Sequence, residues 1–144
     1  MNELRKVFSL CLLLLLVSCQ SVQVDDSSHI TEEEVVNALQ ENGVNLVEAE
    51  FPQNVFGSNL RDVKPRTYEL SEIPFFIFEF ETENEREKGT KEFAEKTAAM
   101  ELVSVSTIVK RNILIFYVHE QDIDSDSVPF EKEIREALDG ISEG

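Results

Sequence analysis

The stretch Phe75-Phe76-Ile77-Phe78-Glu79-Phe80-Glu81 decides the fold. In an extended chain successive side chains point to opposite faces, so Phe76, Phe78 and Phe80 share one face. Phe75, Ile77, Glu79 and Glu81 share the other, which turns from apolar to acidic along its length. Such a strand belongs inside a sheet, with its acidic end meeting water. Phe75 and Ile77 form a candidate apolar patch for a partner, with burial under a helix as the competing reading.

Working outward, residues 102–109 and 113–118 are two β-branched runs separated by Lys110-Arg111-Asn112. They predict a hairpin, with Asn112 the residue most tolerant of positive φ. The run 113–118 is apolar at every position, which suits a central strand covered on both faces. Residues 84–100 are helical in composition, with a thin stripe of Phe93, Ala94, Thr97 and Met100 that suits a helix lying on a sheet with one side wet. Phe130, Ile134, Ala137 and Leu138 mark a short final helix.

Upstream, residues 66–70 predict a short strand turning through Ser71-Glu72, and residues 52–65, with Pro, Gly and Asn, a surface loop. Residues 44–51 alternate as a strand would and end at Pro52. Before them Thr31-x-x-Glu34 is a capping box, Val35, Val36 and Leu39 form a narrow apolar face, and Gly43 supplies the stop. The order of elements implies an α+β fold, a mostly antiparallel sheet of four to five strands with helices packed on it. A ferredoxin-like arrangement is the nearest common template, with the strand order left open.

The N-terminus carries a different message. Arg5 and Lys6 precede an uncharged run, residues 7–17, holding six leucines, and the run closes on Leu16-Val17-Ser18-Cys19. A positive segment followed by a short apolar segment is a secretory signal. Eleven residues at ~1.5 Å rise reach about 16 Å, too short for a bilayer core of ~30 Å. The four-residue stretch resembles the lipobox of bacterial lipoproteins. That resemblance implies cleavage between Ser18 and Cys19 and a thioether from Cys19 to diacylglycerol, with the new amino group also open to acylation. Glu3 dilutes the positive segment. Gln20 is not the aspartate that, in Gram-negative members, favours retention at the inner membrane.

Three segments follow: 1–18 a signal peptide, 19–30 the lipidated cysteine and a polar tether, 31–144 one α+β domain. The expected location is exported and lipid-anchored, on the outer face of a Gram-positive-type membrane, or in the outer membrane of a Gram-negative cell. Two acyl chains anchor stably where one does not. The membrane is thus the first expected partner and an unknown envelope protein the second.

The 144-residue chain has 13 Lys+Arg against 29 Asp+Glu, a net charge of −16. A body this acidic is repelled by nucleic-acid phosphates, which excludes nucleic acid as a partner class. Of the two cysteines, Cys11 would leave with the signal and Cys19 would carry lipid, so no thiol remains for a disulfide, a nucleophile or zinc.

Few groups could carry chemistry. Asp122, Asp124, Asp126 and Glu133, with the Val128 carbonyl, fall at the ligand positions of a loop that looks like an EF-hand calcium loop. Ser127 stands where that loop needs glycine, and Pro129 where it has an aliphatic residue. The plainer reading is an acidic turn, with Asp126 or Ser127 capping the last helix and Pro129 in its first turn. Arg61, Lys64 and Arg66 cluster in the acidic chain and could receive an anionic ligand or an acidic patch on a partner. Glu79 and Glu81 could form a like-charge pair. His119 is the only histidine in the domain, and no G-x-S-x-G elbow, phosphate loop or metalloprotease motif is present. The expectation is a non-catalytic binding or interaction module without a cofactor. A calcium-stabilised domain and an envelope hydrolase built on His119 are the alternatives.

Overall fold

The computed structural model describes residues 29–119 and 128–141. The elements run α1 (Glu32–Glu41), β1 (Val47–Glu48), β2 (Arg66–Leu70), β3 (Ile73–Glu79), α2 (Glu83–Thr97), β4 (Ser106–Lys110), β5 (Ile113–Tyr117) and α3 (Glu131–Gly140). The five strands form one sheet in the order β1-β2-β3-β5-β4, every neighbouring pair antiparallel. The fold is therefore α+β, a five-stranded antiparallel sheet with three helices packed on it. The passage from β3 through α2 to the β4–β5 hairpin is the strand–helix–hairpin path that pointed to a ferredoxin-like template. β1 and β2 extend the sheet on the opposite side.

The alternation within Phe75–Phe80 separates two cores. On one face Phe75, Ile77, Ile113, Ile115 and Tyr117 pack under α1 and α3 through Val35, Leu39, Ile134, Ala137 and Leu138. Phe75 is 0% and Ile77 1% exposed, so the candidate partner patch on these two residues does not exist. Their strand is central, and the paired helices seal it. The competing reading, burial under a helix, is the correct one.

On the other face lie Phe76, Phe78, Phe80, Leu114 and Phe116. Phe93 of α2 stacks obliquely on Phe116 with ring centroids 4.4 Å apart. α2 lies close to the sheet because Gly89 faces Phe80: a Cβ there would stand 2.5 Å from the ring. The buried positions of α2 are Gly89, Phe93 and Thr97, spaced by four, while Ala94 and Met100 face solvent. The expected stripe is thus shifted towards the glycine. α2 leaves part of the aromatic face bare, and the 52–65 segment fills it with Phe56 and Leu60, both buried. That loop is a plug as well as a surface.

The expected Asn112 turn is also different in kind. Positive φ falls on Arg111 (49°), not on Asn112. The Asn112 side chain instead turns inward: Oδ1 accepts from Ile30 N at 2.8 Å, while Nδ2 donates to Ile30 O at 2.8 Å and Phe80 O at 2.9 Å. A buried amide with both N–H groups donating and its oxygen accepting is satisfied, and it ties the start of the domain to the hairpin. Ile30, assigned to the tether by sequence, is 1% exposed and part of the core.

α1 begins with the expected capping box of Thr31 and Glu34. A second acceptor joins it, since the Glu32 N–H donates to Glu79 Oε2 at 2.7 Å. Glu79 thus serves the helix N-terminus, where negative charge is favourable. α3 starts later than expected, at Glu131, behind Phe130 in the left-handed region (φ 62°) and without a side-chain cap among the described residues. Pro129 therefore precedes the helix, and Phe130 is 37% exposed rather than on the apolar face. Among the described residues no helix is long and apolar enough to cross a membrane.

Candidate functional site

The outer side of the 52–65 plug forms a cleft. Asn54 shapes its rim: Oδ1 accepts from Gly57 N at 3.0 Å, Nδ2 donates to Pro52 O at 3.1 Å, and its carbonyl accepts from Ser58 Oγ at 2.9 Å. Gly57 sits over the ring of Phe76, where an added Cβ would be 3.3 Å from Cε1. A cavity of about 660 Å³ opens here, lined by Phe51, Gln53, Asn54, Lys64, Phe76 and Lys96 among others. A second of about 600 Å³, lined by Glu48, Ala49, Pro65 and Arg66, adjoins it through Glu50, Lys64 and Thr67, which line both. Both are open grooves of the size that small ligands occupy.

Of the three basic residues singled out in the sequence, the structure brings two to this place. Lys64 and Arg66 line the second groove, whereas Arg61 does not. Arg61 turns to α2, pairing with Glu85 at 3.5 Å while its N–H donates to Glu92 Oε2 at 3.0 Å. Arg66 is paired with Glu48 at 2.8 Å. Lys64, exposed and common to both grooves, makes no ion pair among the described residues. Lys96 is a groove residue the sequence reading missed. Its Nζ donates to Glu92 Oε1 at 2.6 Å and to Asn59 O at 3.2 Å, so it braces the rim. Hydrogen bonds from Lys96 and then from the Arg61 backbone hold the Glu92 carboxyl below its usual value. Nothing in the spacing of α2 marks Lys96, because its partner loop lies 37 residues away.

His119 is buried, at 7% exposure, in a polar cluster at the end of the helix-covered face. Ser106 Oγ lies 3.2 Å from His119 Nε2 and 2.9 Å from Glu131 Oε2. Burial works against the charged form of Glu131, but hydrogen bonds from Arg135 and Ser106 bring its pKa below the usual carboxylate value. An ionised carboxylate only accepts, so the serine proton points at Glu131 and the imidazole Nε2–H donates to the serine oxygen. A nucleophilic serine needs the reverse, its proton on an imidazole that accepts. Among the described residues Tyr117 OH and His119 Nδ1 are buried without a hydrogen-bond partner. The cluster joins β4, the end of β5 and the first turn of α3, and neither groove includes it.

The calcium candidates divide. Asp122, Asp124 and Asp126 lie outside the described residues, as do Ser18 and Cys19. Val128 packs against the helix-covered core, and Glu133 is exposed on α3. Among the described residues no group of three or more His, Cys, Asp or Glu could hold a metal ion. Glu79 and Glu81 do not act as a pair: Glu79 is engaged by Glu32 N and stands 3.7 Å from His29 Nε2, while Glu81 is exposed. Comparison with protein-family models, curated proteins and solved structures finds no match to this chain.

Proposed function

We propose that the chain is an exported lipoprotein, held by lipid on Cys19, whose folded part is a non-catalytic binding module at the cell envelope. The anchor rests on the resemblance of Leu16-Val17-Ser18-Cys19 to a lipobox. The binding role rests on Lys64. In a chain of net charge −16, this ammonium stands at the junction of two grooves with no carboxylate paired to it among the described residues. Its neighbours Arg61, Arg66 and Lys96 are all paired. An unpaired cation in an acidic protein attracts the anionic group of a ligand or envelope partner, and Asn54, Gln53 and Thr67 supply neutral hydrogen-bonding groups around it.

Two measurements test this proposal. Intact-mass spectrometry of native protein is expected to show loss of the first eighteen residues and addition of acyl chains; an unprocessed, unmodified chain would overturn the anchor. Capture of partners from the producing cell's own membranes is expected to succeed with wild type and with Arg61→Glu and to fail with Lys64→Glu. Equal capture by all three would overturn the groove.

A further inference from the structure

The two edges of the sheet are built differently. β1 is two residues long, so that edge offers little backbone to pair with. β4 is five residues long, and among the described residues no strand lies on its outer side. Natural proteins protect such edges with charge, proline, bulges or a covering element. Ser106-Thr107-Ile108-Val109 has no charge and no proline, in a chain with 29 acidic residues.

Which groups face outward follows from the inner bonds of β5. Asn112 O accepts from Phe80 N, and Val118 N donates to Pro74 O, both at 3.0 Å, so even-numbered residues of this strand turn their backbone towards β3. Ile113, Ile115 and Tyr117 therefore bond to their partners Lys110, Ile108 and Ser106. The N–H and C=O groups of Thr107 and Val109 are left pointing away from the sheet. Both side chains are exposed, Val109 at 49%, and the connection entering β4 also exposes Met100 (53%), Leu102 (39%) and Val103 (42%).

We infer that β4 is a self-pairing edge: a second copy of the chain adds its own β4 antiparallel about a two-fold axis through Ile108, giving a ten-stranded sheet. Only this register uses all five residues, placing Thr107 opposite Val109 of the second copy and Ser106 opposite its Lys110. Thr107 and Val109 then exchange both backbone bonds, twice by symmetry. Charge matches as well. Ser106 is hydrogen-bonded to Glu131, which Arg135 already holds at 2.7 Å. Lys110 stands 4.0 Å from the exposed Asp139 of its own chain, so in this register the incoming ammonium exchanges a long surface pair for a place beside Glu131. Lys110 and Ser106 are the strand's two ends, so the one cation of β4 meets an acidic end in both copies.

The test is made on the intact chain in native membranes. Chains carrying Thr107→Cys and chains carrying Val109→Cys are produced together and separately, then oxidised, with Val47→Cys on the other edge as control. Both sites are exposed, so neither change disturbs the core. Directly opposed residues of a bonded pair have Cα atoms about 5.5 Å apart, within disulfide reach. The expected result is a linked species at twice the chain mass in the mixture and none above the control from either variant alone. No link in the mixture, equal linking in the single variants, or a link to a different protein would each overturn the inference.

Discussion

The two faces of the sheet are closed in contrasting ways. The aliphatic face is covered by regular structure, α1 beside α3, and one cluster of its polar groups gathers at one end around Ser106, His119 and Glu131. The aromatic face is covered half by α2 and half by the 52–65 segment, which pushes Phe56 between Phe76, Phe93 and Phe116. The difference shows where a binding surface can arise. Where two helices close the core, their outer sides are ordinary charged surface. Where a loop closes it, the inner side is fixed by packing and the outer side is free to be shaped. The grooves at Lys64 are the outside of the plug.

Phe116→Ala is the severest way to break that comparison. Its ring meets Phe56, Phe78 and Phe93, so truncation removes the contact shared by helix and plug. A loss of about 3–5 kcal/mol is expected in denaturant unfolding. A loss below about 1 kcal/mol would mean that the aromatic face is not packed as described.

Gly89→Ala tests the helix half alone. In an exposed helix this change stabilises by about 1 kcal/mol. Here the new methyl meets the Phe80 ring, so a loss of about 1–3 kcal/mol is expected in the same assay. Stabilisation would show that α2 stands further from the sheet.

The aliphatic face carries the opposite kind of test. Tyr117 OH is buried without a partner among the described residues, so Tyr117→Phe removes an unsatisfied group and is expected to leave stability unchanged or raise it by about 1 kcal/mol. The same variant sharpens the alkaline limb. Burial pushes Tyr117 up from 10.0 to about 12, with Glu131 adding to the rise, and burial followed by the hydrogen bond to Glu32 does the same for Tyr68. Both phenols therefore ionise first in the unfolded chain. Stability is untouched below pH 10 and falls as pH rises towards 12, the direction linkage requires for a raised folded pKa. Tyr117→Phe is expected to remove one of the two contributions to that fall, measured as midpoint against pH. An unchanged slope would contradict the burial of Tyr117.

Lys64→Glu should be the mildest in stability, within about 0.5 kcal/mol of wild type, because the side chain is exposed and unpaired. Its effect is expected in the capture experiment rather than in folding. A large loss of stability would mean that Lys64 holds the fold instead of a ligand.

Much of this fold was legible in the chain because its strongest signals are local. The alternation of Phe75–Phe80, the fully apolar run of β5 and the Thr31–Glu34 box each declare their state within a few residues, and the structure has each where the pattern puts it. What the sequence hid is non-local. Phe75 and Ile77 look exposed or buried according to helices more than thirty residues away. Gly89 looks like a weak point of a charged helix until Phe80 stands beneath it. Asn112 looks like a turn residue until Ile30 arrives from the far end of the domain. Among candidate site residues, the basic cluster was visible as composition, but only packing separates Lys64 from Arg61, and only packing adds Lys96.

The most direct test of the central claim, that the outside of the loop plug is the contact surface, is site-specific photo-crosslinking of the intact protein in its own membranes. One photoreactive side chain replaces Gln53 on the groove rim, and in a separate chain another replaces Glu136 on the exposed side of α3. Adducts from position 53 and none from position 136 are predicted. Labelling from position 136 alone, or equally from both, would contradict it.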